Sequence, residues 1–168
     1  MSSRLTVISA QRIGELSDTA AASPRRRQNL NLHPVLEDPI QRLFNAMEPG
    51  TYVRPHRHAR DLGWELMMAA LGAFSILTFD DEGTVLERVD LGAGQAAAAE
   101  IPANTWHAVV VMAPGTVMFE VKPGPYSPLE DKDFAAWAPV EEDPAAADFE
   151  AWYRTACPGD RPPGGSFR

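Results

Sequence analysis

Between Ile40 and Lys122 the chain is interrupted at roughly every tenth residue by glycine, proline or aspartate: Pro49-Gly50, Gly72, Asp80-Asp81-Glu82-Gly83, Gly92-Ala93-Gly94 and Pro114-Gly115, with Pro123-Gly124-Pro125 closing the series. Runs this short between strong turn residues suit β-strands better than helices. They predict strands over 40–47, 51–58, 65–71, 74–79, 84–90, 95–101, 106–112 and 116–122. The alanine run 96–99 favours helix by propensity, but glycines precede it and Pro102 follows, so it too is read as strand. Eight short strands at even spacing predict an antiparallel barrel of the jelly-roll kind. The expected fold is mainly all-β, a small double-stranded β-helix with short N-terminal and C-terminal helices.

The helices flank the strands. Ile13, Leu16 and Ala20 lie at helical spacing behind Ser9, a suitable N-cap, and the pattern stops before Pro24. After it, Asn29-Leu-Asn-Leu-His33 alternates as an edge strand would. Near the other end, Asp143 is positioned to cap a helix with Pro144 at its first position, and Phe149, Trp152 and Tyr153 give it an aromatic face for docking on the barrel. The expected organisation is an N-terminal extension and helix over 1–24, a barrel over 25–127, an acidic helical segment packed on it over 128–156, and a disordered tail over 157–168.

Charge narrows the partners. The formal net charge is −8, which disfavours a generally basic surface for nucleic acid or anionic membranes. The charge is uneven: residues 130–150 carry net −7, whereas seven arginines against Glu37, Asp38 and Glu48 give residues 25–60 net +4. That local excess favours a small anionic ligand. Cys157 is the single cysteine, so neither an internal disulfide nor a thiolate metal site is expected. With no signal-like or membrane-length apolar run, a cytoplasmic location is expected.

The four histidines carry the chemistry. His56 and His58 are two apart in a predicted strand, so both point to one face, where neutral imidazoles can share a divalent transition metal. Glu65 opens the next predicted strand and offers an oxygen. His107 lies on a strand able to complete the same site. By the same alternation Tyr52 and Arg54 face the metal and form its mouth, where the guanidinium would hold a carboxylate or phosphate. Met67, Ala69, Leu71, Val109 and Val111 would make an apolar floor. Lys122 and Tyr126, in the stiff Lys-Pro-Gly-Pro-Tyr segment, are expected at the rim.

These blocks resemble a known family. Gly50, His56, His58, Glu65 and Gly72 are similar to the first cupin motif, and Gly94, Pro102 and His107 to the second. The chain departs from that pattern in having six residues between His58 and Glu65, seven between Gly94 and Pro102, Asn104 where the second motif has a glycine, and Val111 where it has an asparagine. More narrowly, Asn29-Leu-Asn-Leu-His33, Glu48-Pro-Gly-Thr-Tyr-Val-Arg-Pro-His-Arg-His58, Ile101-Pro-Ala-Asn-Thr-Trp-His107 and Glu120-Val-Lys-Pro-Gly-Pro-Tyr126 resemble the WbuC family of cupin-fold metalloproteins. The resemblance implies a small barrel with one divalent metal (zinc, iron, manganese or nickel) on His56, His58, Glu65 and His107, a polysaccharide or O-antigen context, and a homodimer. Three readings follow from it: a metalloprotein acting on a small anionic carbohydrate-related compound as isomerase, lyase or hydrolase, a ferrous-iron dioxygenase, or a non-catalytic ligand-binding module.

Overall fold

The computed structural model describes residues 5–58, 63–125 and 133–164. Their elements run α1 (Ala10–Ala22), β1 (Arg27–Asn31), β2 (Ile40–Met47), β3 (His56–Arg57), β4 (Glu65–Leu71), β5 (Ala73–Phe79), β6 (Val85–Gly92), β7 (Ala98–Ile101), β8 (Trp106–Val111), β9 (Thr116–Pro123), β10 (Asp133–Phe134) and α2 (Ala146–Tyr153). The strands form two antiparallel sheets in the orders β1-β2-β9-β4-β7 and β10-β3-β8-β5-β6. The result is the jelly-roll barrel that the turn spacing predicts. No helix among the described residues is long and apolar enough to cross a membrane.

Three apolar layers hold it together. Met47, Met67 and Met118 of the first sheet meet Phe74, Ile76, Val109 and Val111 of the second in the barrel interior. Helix α1 starts where the Ser9 hydroxyl accepts the Arg12 N–H at 3.1 Å, a capping bond of a kind worth about 1 kcal/mol. Its Leu16 and Ala20 pack on Ala46 and Val117, outside the first sheet. Helix α2 covers the other sheet with Phe149 and Tyr153 against Leu77, Phe79, Ala108 and Val110. Strand β8 is therefore buried on both faces, with His107, Val109 and Val111 turned inward and Ala108 and Val110 turned to α2. That explains its continuous apolar run in place of alternation.

Several local expectations differ from the structure. Only His56–Arg57 of the 51–58 run is strand, because Pro55 has no N–H to give a ladder. Asp143 accepts the Ala145 N–H at 2.8 Å, so it caps a preceding turn, and α2 begins at Ala146 without a side-chain cap. A register shift between Ala69 and Leu71 leaves Leu71 exposed, outside the floor expected to contain it. In the segment expected to be a loose tail, the Gly159 N–H donates to the Val85 carbonyl at 2.8 Å and the Asp160 carbonyl accepts the Val85 N–H at 2.9 Å.

Gly72 turns the chain between β4 and β5 at φ +68°, and an added Cβ would lie 2.8 Å from the Thr116 Cα. The Thr116 hydroxyl below it donates towards the Ala73 and Ala113 carbonyls at 3.1 and 2.7 Å. Gly72→Ala should therefore cost about 2–4 kcal/mol, from left-handed backbone strain together with overpacking. A fall in the urea midpoint at unchanged slope is the expected observation, and an unchanged midpoint would contradict it.

Candidate metal centre

The centre is built from both sheets. His56 on β3 lies directly opposite His107 on β8, with ring centroids 4.4 Å apart. His58 follows just beyond β3, and Glu65 enters as the first residue of β4, opposite Ile101 of β7. The His58 carbonyl accepts the Asn104 N–H at 2.9 Å, tying the two histidine segments together. Asn104 has φ +61°, a conformation that asparagine tolerates better than most residues. This accounts for its standing where the resembled motif has glycine.

One ligand atom from each of His56, His58, Glu65 and His107 lies within 4.8 Å of the other three, and all four residues are buried. Nδ1 of His56 is 2.9 Å from the Arg54 carbonyl, and Nδ1 of His107 is 2.9 Å from the Thr105 carbonyl. A carbonyl only accepts, so each Nδ1 carries the proton and each Nε2 presents its lone pair. Nε2 of His58 and of His107 lie 3.0 Å from Glu65 Oε1 and Oε2, respectively. His107 Nε2 and Glu65 Oε2 are buried but not aligned for a hydrogen bond, as expected for atoms aimed at a common point rather than at each other. Three imidazole nitrogens and one carboxylate oxygen fit a borderline divalent cation.

Lys122, expected at the rim, is instead buried beside the centre. Its Nζ is 3.0 Å from Glu65 Oε1 and 3.1 Å from Glu120 Oε1, and Asn45 Nδ2 donates to Glu120 Oε2 at 2.8 Å. Burial pushes the Glu65 carboxyl up, but the adjacent Lys122 ammonium, the largest opposing influence, holds the group well below the usual carboxylate range. Glu65 is thus an anion at neutral pH. An imidazole ligates a metal only when deprotonated, so metal binding should be weaker at pH 5 than at pH 8. Chelator competition that shows equal affinity at pH 5 and pH 8 would contradict this.

Tyr52 and Arg54 lie elsewhere. The Tyr52 hydroxyl donates to the Pro139 carbonyl at 3.0 Å, its ring stacks on Tyr153, and burial pushes its pKa up. Arg54 donates to the Ala135 carbonyl at 2.8 Å and sits 5.3 Å from the Phe134 ring centre. Both are therefore on the α2 side. Val53 and His56, three residues apart, line the same interior cavity, so the two-residue alternation slips by one around Pro55. Tyr126 lies outside the described residues.

Polar residues of β1 and β2, Arg27 and Asn45, are found beside the centre instead. An inner cavity of about 130 Å³ is lined by His56 and His107 together with Arg27, Asn45, Met47, Val53, Met67, Val109 and Met118. Arg27 and Asn45 also line an open cleft of about 420 Å³, alongside Asn29, Asn31, His33, Gln41 and Lys122. The signal for this face was the 29–33 alternation, whose odd positions are its polar side. Part of the arginine excess is neutralised. Glu141 accepts from Arg25 Nε at 2.9 Å and forms a close ion pair with Arg27, and Arg57 pairs with Asp133 at 3.2 Å. The acidic 130–150 segment and the basic N-terminal segment thus compensate each other.

Solved structures share the fold. A protein from Shewanella oneidensis superposes with a TM-score of 0.50 at 16% identity, covering 63% of this chain and 72% of its own. Oxalate oxidase in complex with glycolate gives 0.52 at 14% identity, over 69% of this chain and 58% of the other. CapF with the inhibitor 3-isopropenyl-tropolone gives 0.52 at 16%, over 63% of this chain and 31% of the other; CapF is a capsular polysaccharide assembling protein from Staphylococcus aureus. At these identities the likeness is one of fold. No curated protein matches the chain in sequence. A family profile does match, over residues 8–91, which is half the chain and includes His56, His58 and Glu65, and the chain accordingly belongs to the family described as a domain of unknown function, DUF6016.

Proposed function

We propose that this chain is a cupin-type metalloprotein that holds one divalent transition metal on His56, His58, Glu65 and His107 and takes a small oxygen-rich anion, carbohydrate-related in chemistry, through the adjoining cleft. The convergence of four buried ligand atoms within 4.8 Å carries this reading. A bound cation would act as a Lewis acid towards a carbonyl or carboxylate oxygen. Because Lys122 is shared between Glu65 and Glu120, a bound cation would supply the positive charge for an anion at the centre, beside Arg27, which shares the one Glu141 carboxylate with Arg25. Amide side chains of Asn29, Asn31 and Asn45 on the cleft wall suit hydroxyl groups, each able to donate and accept. The sequence blocks resembling the WbuC family agree with a sugar-related ligand.

Binding without catalysis is the second reading, and one observation favours it. Both carboxylates near the centre, Glu65 and Glu120, are held by Lys122, so among the described residues neither stands ready as a general base. Calorimetry with gluconate as probe tests the main reading. Zinc-loaded protein should bind gluconate and metal-free protein should not, and equal affinity in the two states would overturn it. Product formation from sugar-acid substrates would then exclude the purely binding role.

A further inference from the structure

His33, which lines the cleft, is buried, with 7% of its surface exposed, and plays no part in the metal centre. Its Nδ1 is 3.1 Å from both the carbonyl and the N–H of Arg42. The Arg42 carbonyl already takes the Leu32 N–H at 2.8 Å. The Arg42 N–H points to the same side of β2 and needs an acceptor, which Nδ1 supplies. The imidazole thereby extends the β1–β2 ladder, and its proton resides on Nε2. That N–H is buried with no hydrogen-bond partner among the described residues, a costly condition for a donor unless something else completes it.

The cleft shows what could do so. Its wall repeats polar groups at alternate residues: Asn29, Asn31 and His33 along β1, and Gln41 and Asn45 along β2. Gln41, near His33, lies opposite Lys122 on β9, and β1 and the Glu65-bearing β4 stand three strand spacings apart in the sheet, about 14 Å. The cleft is thus longer than a single pyranose ring. We infer that His33 Nε2–H is a specificity donor for the distal end of an extended polyhydroxylated acid, whose acidic end lies at the metal centre and whose second sugar unit reaches His33. This rests on the function proposed above and adds to it the length of the ligand and the residue that selects for it.

Gluconate and lactobionate, which is gluconate carrying a galactose, separate the two ideas. With zinc-loaded protein, lactobionate should bind about tenfold more tightly than gluconate, the worth of one well-made hydrogen bond to a buried donor. His33→Leu should remove that margin while leaving zinc content and gluconate affinity unchanged. In the native protein, the His33 imidazole proton signal in a nitrogen-15 spectrum should shift with lactobionate and not with gluconate, a readout that does not depend on the variant folding. Equal affinity for the two acids, a margin that survives His33→Leu, or an unmoved imidazole signal would each overturn the inference. Zinc binding without either acid binding would also overturn it while leaving the metal site standing, whereas absence of zinc binding would remove both.

Discussion

Replacing His56 and His58 together by alanine is expected to reduce divalent-metal affinity on the order of 10⁴-fold or more. Four-ligand protein zinc sites bind with roughly 10–16 kcal/mol of apparent free energy, about 3–4 kcal/mol per ligand, and every 1.4 kcal/mol is tenfold. His56 presents Nε2 because its Nδ1 is 2.9 Å from the Arg54 carbonyl, so no rotation of a neighbouring group restores the lost donor. Elemental analysis of the purified native protein should find about one metal ion per chain, and the double variant should have none after dialysis. Equal metal content in both would remove the site assignment altogether. The fold should survive, because the interior layer of Met47, Phe74, Ile76, Val109 and Met118 does not include either histidine.

Lys122→Met is expected to act in the opposite way, harming the metal-free protein most. Its ammonium lies between Glu65 and Glu120, within 3.1 Å of each, and all three side chains are buried. Removing one partner of a buried ion pair leaves an uncompensated charge and costs about 3–5 kcal/mol. For a chain of this size that is a melting-temperature loss on the order of 10 °C. Loading with zinc should recover much of the loss, because the cation replaces the ammonium as counter-charge to Glu65. Thermal unfolding of variant and native protein, each with and without zinc, measures this. An equal loss in both states would show that Lys122 supports packing rather than charge.

Much of the barrel was legible because turn residues and strand lengths are local properties. The bounds of β2 and β4 match the predicted segments, and α1 follows its cap at Ser9, as backbone conformation and a side-chain hydrogen bond over three residues require only nearby sequence. The pairing of His56 and His107 was legible as a joint motif, not as a contact. Tyr52 and Arg54 show where alternation fails. Parity carries along a strand only while the strand is continuous, and around Pro55 the chain leaves the ladder, so that Val53 joins His56 inside and its neighbours turn to α2. Nothing local announces that slip, because it depends on β3 pairing with β8 and β10, far away in sequence.

The same distinction holds for charge. The sequence by itself determined the strand spacing, the helix start, the residue types able to ligate a metal, and the two blocks of opposite charge. Only the tertiary structure decided that Glu141 pairs with both Arg25 and Arg27, that Lys122 is buried between two carboxylates, and that Asn29, Asn31 and His33 line the cleft adjoining the metal centre. Side-chain chemistry and local propensity are written residue by residue. Which face a residue shows and which charge it meets are set by sheet register and by long-range contacts, whose energies arise only once the two sheets and two helices have closed on one another.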